Sequence, residues 1–184
     1  GCSHWSWYNA LKSLNFKKLI GVDISKERLE LAKQAGYDET YCTNGKSLPF
    51  KDNSKDIVIC NNMMIHVLQD SDKLEILKEI KRILSPGGLF IFDIANAKVY
   101  RPSNTTKKYC RHLTPEIVEN IIAESGFEIC GKEISYCLYP LKFAHPKLAK
   151  FSVKTIFPLT DKFFRLKKNF DKARSIHYCL VNNT

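Results

Sequence analysis

Residues 17–25 have the sequence Lys17-Lys18-Leu19-Ile20-Gly21-Val22-Asp23-Ile24-Ser25, an apolar run between a basic start and an end with a carboxylate and a hydroxyl. With the helical pattern over 26–35, it predicts a buried parallel strand leading into a helix capped by Ser25. Ligands of open α/β sheets bind outside the carboxyl ends of the strands, where an acid can accept hydrogen bonds from a ribose diol. Asp23 is therefore a candidate ligand-binding residue, with simple helix capping as the alternative.

Strand and helix patterns alternate after this run. The predicted helix over 26–35 stops at Gly36, and the break at 85–88 separates a second helix from a further strand. The remaining predicted elements are strands over 39–43, 56–60 and 89–94 and a helix over 70–84. This order predicts an α/β fold with a doubly wound, mostly parallel sheet and helices on both faces.

The helix over 70–84 is predicted from two opposed sets of side chains. The apolar set is Leu74, Ile76, Leu77, Ile80, Ile83 and Leu84, and the set placed largely on the other side is Lys73, Lys78, Glu79, Lys81 and Arg82.

The C-terminal part continues the alternation. Thr114-Pro115 predicts a helix start and Gly126 its end, and strands are expected over 127–136 and 175–181. Between these strands lies a basic segment, 140–175, that is expected to be a substrate-side insertion. An amphipathic helix is predicted there, either a lid over the site or plain core, from Leu159, Phe163, Leu166 and Phe170.

Length and composition indicate one globular domain spanning 1–184. The chain has 44% apolar and 26% charged residues, close to the globular average. No apolar run approaches a membrane span and the first residues lack a signal-peptide layout, so a cytoplasmic location is expected. The seven cysteines form no C-x-x-C pair, which predicts no metal site and no disulfide framework. Packed, reduced thiols are expected, Cys2 among them.

The net charge of +10 is concentrated in one segment. Residues 140–175 contain ten Lys or Arg against two acids and so carry +8, which leaves +2 for the rest. Such a segment fits an anionic substrate, a membrane surface or nucleic acid, with a solvated basic face as the alternative.

Four parts of the sequence together resemble the class I methyltransferases that use S-adenosylmethionine, in the small single-domain group with Leu-Pro-Phe and Pro-Gly-Gly signatures. They are Gly1-Cys2-Ser3, Gly21-Val22-Asp23-Ile24-Ser25, Asn44-Gly45-Lys46-Ser47-Leu48-Pro49-Phe50, and residues 56–67 with 78–88. The resemblance implies a Rossmann-like fold, S-adenosylmethionine as cofactor, and methyl transfer to an unidentified acceptor, small or amphiphilic.

The sequence departs from the family pattern at several positions. Ser3 stands where a second glycine is usual, Trp5 stands near the third, and Asn44 replaces an acid. The strand before the glycine-rich loop is not in the chain, which is therefore expected to lack the family's first strand. Lys55 takes the place of a usual phenylalanine.

The resemblance also implies the roles of individual residues. Asp23 would hold the ribose hydroxyls, Ile24 would pack on adenine, and Asn44 would accept from the adenine amino group. The implied cofactor-binding set is Gly1, Ser3, Asp23, Ile24, Asn44, Gly45 and Asn61. No catalytic residue is assigned, because alignment of acceptor and donor supplies much of the barrier reduction in methyl transfer. If the acceptor is a hydroxyl, the candidates are His66, Asp93, Tyr109 and His112, for each of which packing is the alternative.

Other classes compete with the enzyme. A non-catalytic methyltransferase-like remnant that no longer binds cofactor would explain the expected missing strand. A nicotinamide-dependent dehydrogenase shares the acid after the second strand but requires a G-x-G-x-x-G motif that is absent here. A basic RNA-binding domain lacks the aromatic-rich sheet motifs of the usual modules, so the sequence gives no firm nucleic-acid signal.

Overall fold

The structure is a computed structural model that describes residues 1–2, 8–99, 108–135, 170 and 173–184. The chain alternates between helices and strands, as predicted. The helices are α1 (Tyr8–Lys12), α2 (Lys26–Ala35), α3 (Asp70–Ile83) and α4 (Pro115–Ser125), with a 3₁₀ turn at Met64–His66. The strands are β1 (Ile20–Asp23), β2 (Glu39–Cys42), β3 (Lys55–Cys60), β4 (Leu84–Ala95), β5 (Glu128–Ser135) and β6 (Ser175–Val181).

The ends of α2 are fixed by local signals. The Ser25 hydroxyl accepts a hydrogen bond from the backbone N–H of Arg28 at 3.3 Å. Gly36 ends the helix in the left-handed region, with φ +107°, and donates to the carbonyl oxygens of Ala32 and Lys33. These contacts confirm the helix that the sequence predicted over 26–35.

The strands form two sheets. In the first, β1 pairs with β2 in parallel, and in the second the order is β3-β4-β6-β5. The β3–β4 pair is parallel, whereas β6 runs antiparallel to both β4 and β5. The parallel prediction is therefore confirmed for the β1–β2 and β3–β4 pairs, and the last two strands make the second sheet mixed. Among the described residues, no strand is bonded to both β1 and β3.

The Ser85-Pro86-Gly87-Gly88 stretch lies within β4 and does not separate it from α3. Lys55 pairs with Leu84 and Ile57 with Leu89, so these four residues form an irregularity opposite the single residue Asp56. Gly87 N–H donates to the carbonyl oxygen of Asn182, and Asn182 N–H donates to that of Gly88. The predicted break is thus a bulge that contacts from the end of β6 hold in the sheet.

The core lies between the second sheet and helices α3 and α4. Phe90, Phe92 and Tyr178 stack with ring centroids 5.0 and 5.4 Å apart. They pack with Leu77 and Ile122 of the two helices in one cluster of buried side chains.

No helix in the described ranges is long and apolar enough to cross a membrane.

Lys73 corrects one sequence expectation. It was placed on the polar side of α3, yet only 3% of it is exposed. Its ammonium group donates to the carbonyl oxygen of Val67 and lies 3.4 Å from Oδ1 of Asp70. The long side chain buries its methylenes while its charged end contacts oxygen atoms at the start of α3 and just before it.

Candidate active site

The carboxyl ends of β1 and β3 come together at Gly1. The backbone N–H of Cys2 donates to the carbonyl oxygen of Val22 at 2.8 Å, so the start of the chain lies along β1. A Cβ atom on Gly1 would lie 3.3 Å from Cγ of Met63 and 3.8 Å from Oδ2 of Asp23. Because a side chain would crowd Met63 here, glycine permits the close approach. We call this meeting of Gly1, Asp23 and Met63 the Gly1 junction.

Asp23 lies at the last position of β1 and is only 7% exposed. Its Oδ1 accepts a hydrogen bond from the backbone N–H of Ser25 at 3.0 Å, while capping of α2 falls to the Ser25 hydroxyl. The next residue, Ile24, is 72% exposed. An acid beside an exposed aliphatic side chain suits a nucleoside, whose sugar is polar and whose base has an apolar face.

Asn44 follows the end of β2, and the residue before it, Thr43, is hydrogen bonded to Asp23. The backbone N–H of Thr43 donates to the carbonyl oxygen of Asp23 at 3.1 Å. Asn44 is exposed, and its Oδ1 accepts from the backbone N–H of Lys46 at 3.0 Å. A carbonyl oxygen has two lone pairs, so this turn leaves Asn44 able to accept a second bond. Gly45, in the same turn, packs near Ile76 of α3.

The residues after β3 form a turn over Asp93. Asn61 and Asn62 follow the last residue of the strand, and the backbone N–H of Asn62 donates to Oδ1 of Asp93 at 2.6 Å. Asp93 is 6% exposed. The structure therefore places Asp93 beneath the turn, apart from the other three catalytic candidates.

His66, Tyr109 and His112 lie together. Residues 109–112, which we call the strap, pack against the segment after β3 through a 2.7 Å bond from Arg111 N–H to the carbonyl oxygen of Ile65. Nδ1 of His66 is 3.2 Å from the carbonyl oxygen of Tyr109 and 3.5 Å from Sγ of Cys110. Tyr109 is 68% exposed.

The environment of His112 differs from that of His66. Burial, followed by the proximity of His66, lowers the pKa of His112, which favours its neutral form. His66 is exposed, and its backbone N–H donates to the carbonyl oxygen of Met63 at 2.9 Å. This bond joins the histidine cluster to the Gly1 junction through a single turn of chain.

No sequence pattern predicted the ion pair that holds the strap. Arg111 donates to both carboxylate oxygens of Asp70, from Nε at 2.7 Å and from Nη2 at 2.6 Å. Since these residues are 41 positions apart and belong to no motif, no local pattern could have revealed the pair. Met63 was missed too, although its place just after a strand end was the available signal.

Some predicted residues lie outside the described parts of the chain. Ser3 is one, and most of the basic segment 140–175 is another, including Leu159, Phe163 and Leu166 of its apolar stripe. Phe170 is described: it packs against the core cluster, and Nζ of Lys132 lies 5.3 Å from its ring centroid.

Comparison with known proteins assigns the family. A family model described as the methyltransferase domain matches residues 1–92, half of the 184-residue chain and the half that contains the Gly1 junction. The chain belongs to the methyltransferase domain family. Its cofactor, as the sequence motifs predicted, is S-adenosylmethionine.

Relatives and solved structures agree with this family. An uncharacterised protein from Methanocaldococcus jannaschii is 38% identical over 96 residues, covering 52% of this chain and 39% of that protein. The demethylmenaquinone methyltransferase of Staphylococcus saprophyticus is 35% identical over 100 residues, covering 52% and 40%. A SAM-dependent methyltransferase from Methanosarcina mazei superimposes with a TM-score of 0.69 at 16% identity, covering 98% of this chain and 89% of that one. This likeness confirms the Rossmann-like α/β fold class.

The chain spans only part of its curated relatives. It covers 39%, 46% and 58% of the lengths of the first three that it matches.

Proposed function

We propose that this methyltransferase domain transfers a methyl group from S-adenosylmethionine to a small or amphiphilic acceptor. The observation that carries the proposal is the Gly1 junction, where a glycine, an acid and Met63 meet at the carboxyl ends of β1 and β3, with the exposed Ile24 next to the acid in the chain. These residue types fit the cofactor, which needs an acceptor for its ribose hydroxyls and an apolar surface for its base.

The candidate cofactor-binding residues have distinct parts in binding. Asp23 would accept from the ribose, Ile24 would pack on the adenine, and Asn44 would accept from its amino group. Gly1 would let the backbone pass close to the methionine part, and Asn61 would border it from the other sheet. When bound, the cofactor supplies a methyl group on a positively charged sulfur.

His66 is the group best suited to receive a proton from a hydroxyl acceptor. We place the ring hydrogen on Nδ1, because the carbonyl oxygen of Tyr109, 3.2 Å away, can only accept. Nε2 then carries the free lone pair of the neutral ring. Because alignment supplies much of the rate in methyl transfer, this proton acceptor would assist the reaction without being indispensable.

The acceptor class rests on two indirect supports. The relative from Staphylococcus saprophyticus is named for demethylmenaquinone, a small-molecule acceptor. The +8 charge of residues 140–175 suits an anionic molecule or a membrane surface.

Calorimetry with S-adenosylhomocysteine tests the proposal. The wild-type chain is expected to bind, and Asp23→Asn is expected to weaken binding about tenfold or more, since hydrogen bonds to a charged group are stronger than neutral ones. The amide of Asn retains an oxygen for Ser25 N–H, so the fold should survive. Glu124→Gln, an exposed change of equal charge on α4, is the matched control.

The outcomes separate the enzyme from its main rival. Equal binding by the Asp23→Asn and Glu124→Gln variants would remove Asp23 from the site. No heat from folded wild-type protein would favour the non-catalytic remnant.

A further inference from the structure

Asn62 has an unusual backbone conformation for a residue other than glycine. Its φ is +52°, in the left-handed region, which side chains other than Asn and Asp seldom adopt. The N–H of this residue points at the Asp93 carboxylate, with 2.6 Å between nitrogen and Oδ1. The acceptor is a carboxylate that is only 6% exposed, so this is a strong hydrogen bond. It stabilises the left-handed backbone conformation of Asn62.

The turn at Asn62 determines where the next residues lie. Met63 follows immediately and reaches the Gly1 junction, with its Cγ 3.3 Å from the Cβ position of Gly1. The carbonyl oxygen of Met63 accepts from the backbone N–H of His66. A change in the backbone at Asn62 would therefore displace both the junction and the histidine.

Asp93 belongs to a different secondary-structure element from the turn that it bonds. It belongs to β4, where it is opposite His177 of β6 in the antiparallel pair, whereas the turn that it bonds follows β3. β4 is paired on both sides, with β3 and with β6. A buried carboxylate on a rigid strand is suited to fixing a neighbouring loop.

We propose that Asp93 is a positioning residue for the cofactor: its carboxylate fixes the left-handed turn at Asn62 and thereby the surface that Asn61 and Met63 present at the Gly1 junction. The inference rests on the proposed function for the identity of the ligand. It assigns Asp93 a role other than that of proton acceptor, because its Oδ1 is occupied by Asn62 N–H and the side chain is nearly inaccessible.

The test compares three variants. Asp93→Ala removes the acceptor, and Asp93→Asn keeps an oxygen that can accept from Asn62 N–H without the charge. Asn182→Ala is the control for general loss of stability, because Asn182 is 1% exposed and its Nδ2 donates to the carbonyl oxygen of Leu84 at 2.8 Å, at the opposite end of β4 from Asp93.

Two measurements are made on each variant: hydrogen exchange of the Asn62 amide without ligand, and affinity for S-adenosylhomocysteine by calorimetry. Asp93→Ala is expected to speed exchange and weaken binding about tenfold or more. Asp93→Asn should recover most of both, to within roughly threefold of wild type. Asn182→Ala should leave the affinity unchanged at temperatures where the protein is folded.

The results have clear consequences. Wild-type affinity in Asp93→Ala, or equal losses in Asp93→Ala and Asn182→Ala, would overturn the positioning role. If the wild-type chain itself binds no S-adenosylhomocysteine, the proposed function fails. The Asn62 exchange rates would then decide alone whether Asp93 fixes the turn.

Discussion

Arg111 binds Asp70 through two parallel hydrogen bonds, Nε to Oδ1 at 2.7 Å and Nη2 to Oδ2 at 2.6 Å. This planar arrangement joins the strap to the first turn of α3. Because the strap also bonds Ile65 through the Arg111 backbone, one residue holds it at two points. The pair therefore fixes the position of the neighbouring residues that approach His66.

Replacing Arg111 by Gln is expected to lower the free energy of unfolding by about 1 kcal/mol at most, because both side chains remain partly exposed. The hydrogen bonds from Arg111 lower the pKa of Asp70. This contribution is present above the ordinary Asp pKa, about 3.9, and is lost as pH falls through the lower folded value. Urea unfolding at neutral and at acidic pH measures the difference between wild type and variant.

The difference in the free energy of unfolding between wild type and Arg111→Gln should become smaller toward acidic pH. A difference that is constant with pH would show that the stabilisation comes from packing of the arginine and not from its charge. Lys33→Gln, which breaks the exposed pair of Lys33 and Glu30 on α2, serves as the control and should have almost no effect.

Gly36 and Gly87 both have positive φ, +107° and +78°, but their surroundings differ. A Cβ on Gly36 would lie 2.5 Å from Oη of Tyr8, whereas a Cβ on Gly87 meets no heavy atom within 4 Å. Gly87→Ala should therefore lower the free energy of unfolding only through backbone strain, by about 1 kcal/mol, and Gly36→Ala should lower it more. Thermal unfolding of both variants measures the difference.

A double-mutant cycle identifies the cause. In a Tyr8→Ala background, the cost of Gly36→Ala should fall to that of Gly87→Ala, because the clash is gone. If Gly36→Ala lowers the free energy of unfolding equally with and without Tyr8, the Tyr8 side chain already moves aside in the single variant.

Elements with signals at both ends were predictable from the sequence. The bounds of α2 follow from Ser25 and Gly36, and both residues make the expected hydrogen bonds. Asp23 could be placed at a strand end because the apolar run stops there. Each of these features depends on residues within a few positions of one another, where propensity and capping act directly.

Features that depend on distant partners were not predictable. The break at 85–88 lies inside β4 because Asn182, about a hundred residues later, bonds Gly87 and Gly88. Lys73 is buried because Val67 and Asp70 supply oxygen partners at the end of its side chain. Tertiary contacts overrode the local pattern in both cases.

Lys73→Met should change how stability depends on alkaline pH. Burial lowers the pKa of Lys73 in the folded protein, although Asp70 partly counteracts this. Between the folded pKa and the ordinary lysine value of about 10.4, the unfolded chain binds more protons at this site, so this group makes stability rise with pH. The variant lacks that contribution, and the stability of wild type relative to it should increase with pH.

Urea unfolding of both proteins from neutral pH to about pH 10 measures this trend. Lys78→Met, an exposed change on the same helix, controls for the general loss of a positive charge. A wild-type advantage that stays level or falls with pH would contradict the role assigned to burial.

Cys130 and Cys179 should form a disulfide under oxidation by diamide. Cys130 is exposed and lies at the irregularity between β5 and β6, and its thiol donates to the carbonyl oxygen of Cys179 at 3.2 Å. Burial, followed by a side-chain hydrogen bond with Cys130, raises the pKa of Cys179 to about 11. Thiolate is the reactive form, so the bond should form slowly at neutral pH and faster as pH rises. The disulfide joins the two sulfurs, and the two thiol hydrogens, with two electrons, pass to diamide and reduce it to the hydrazine.

The bond would close a loop between residues 49 positions apart and stabilise the protein by about 4 kcal/mol at most. Intact mass before and after reduction detects it, and Cys130→Ser should abolish the intramolecular product. Cys42→Ser, which removes another exposed thiol, should leave it unchanged. Diamide treatment that gives only intermolecular dimers through Cys130 would show that the two sulfurs cannot reach disulfide geometry without moving the strands apart.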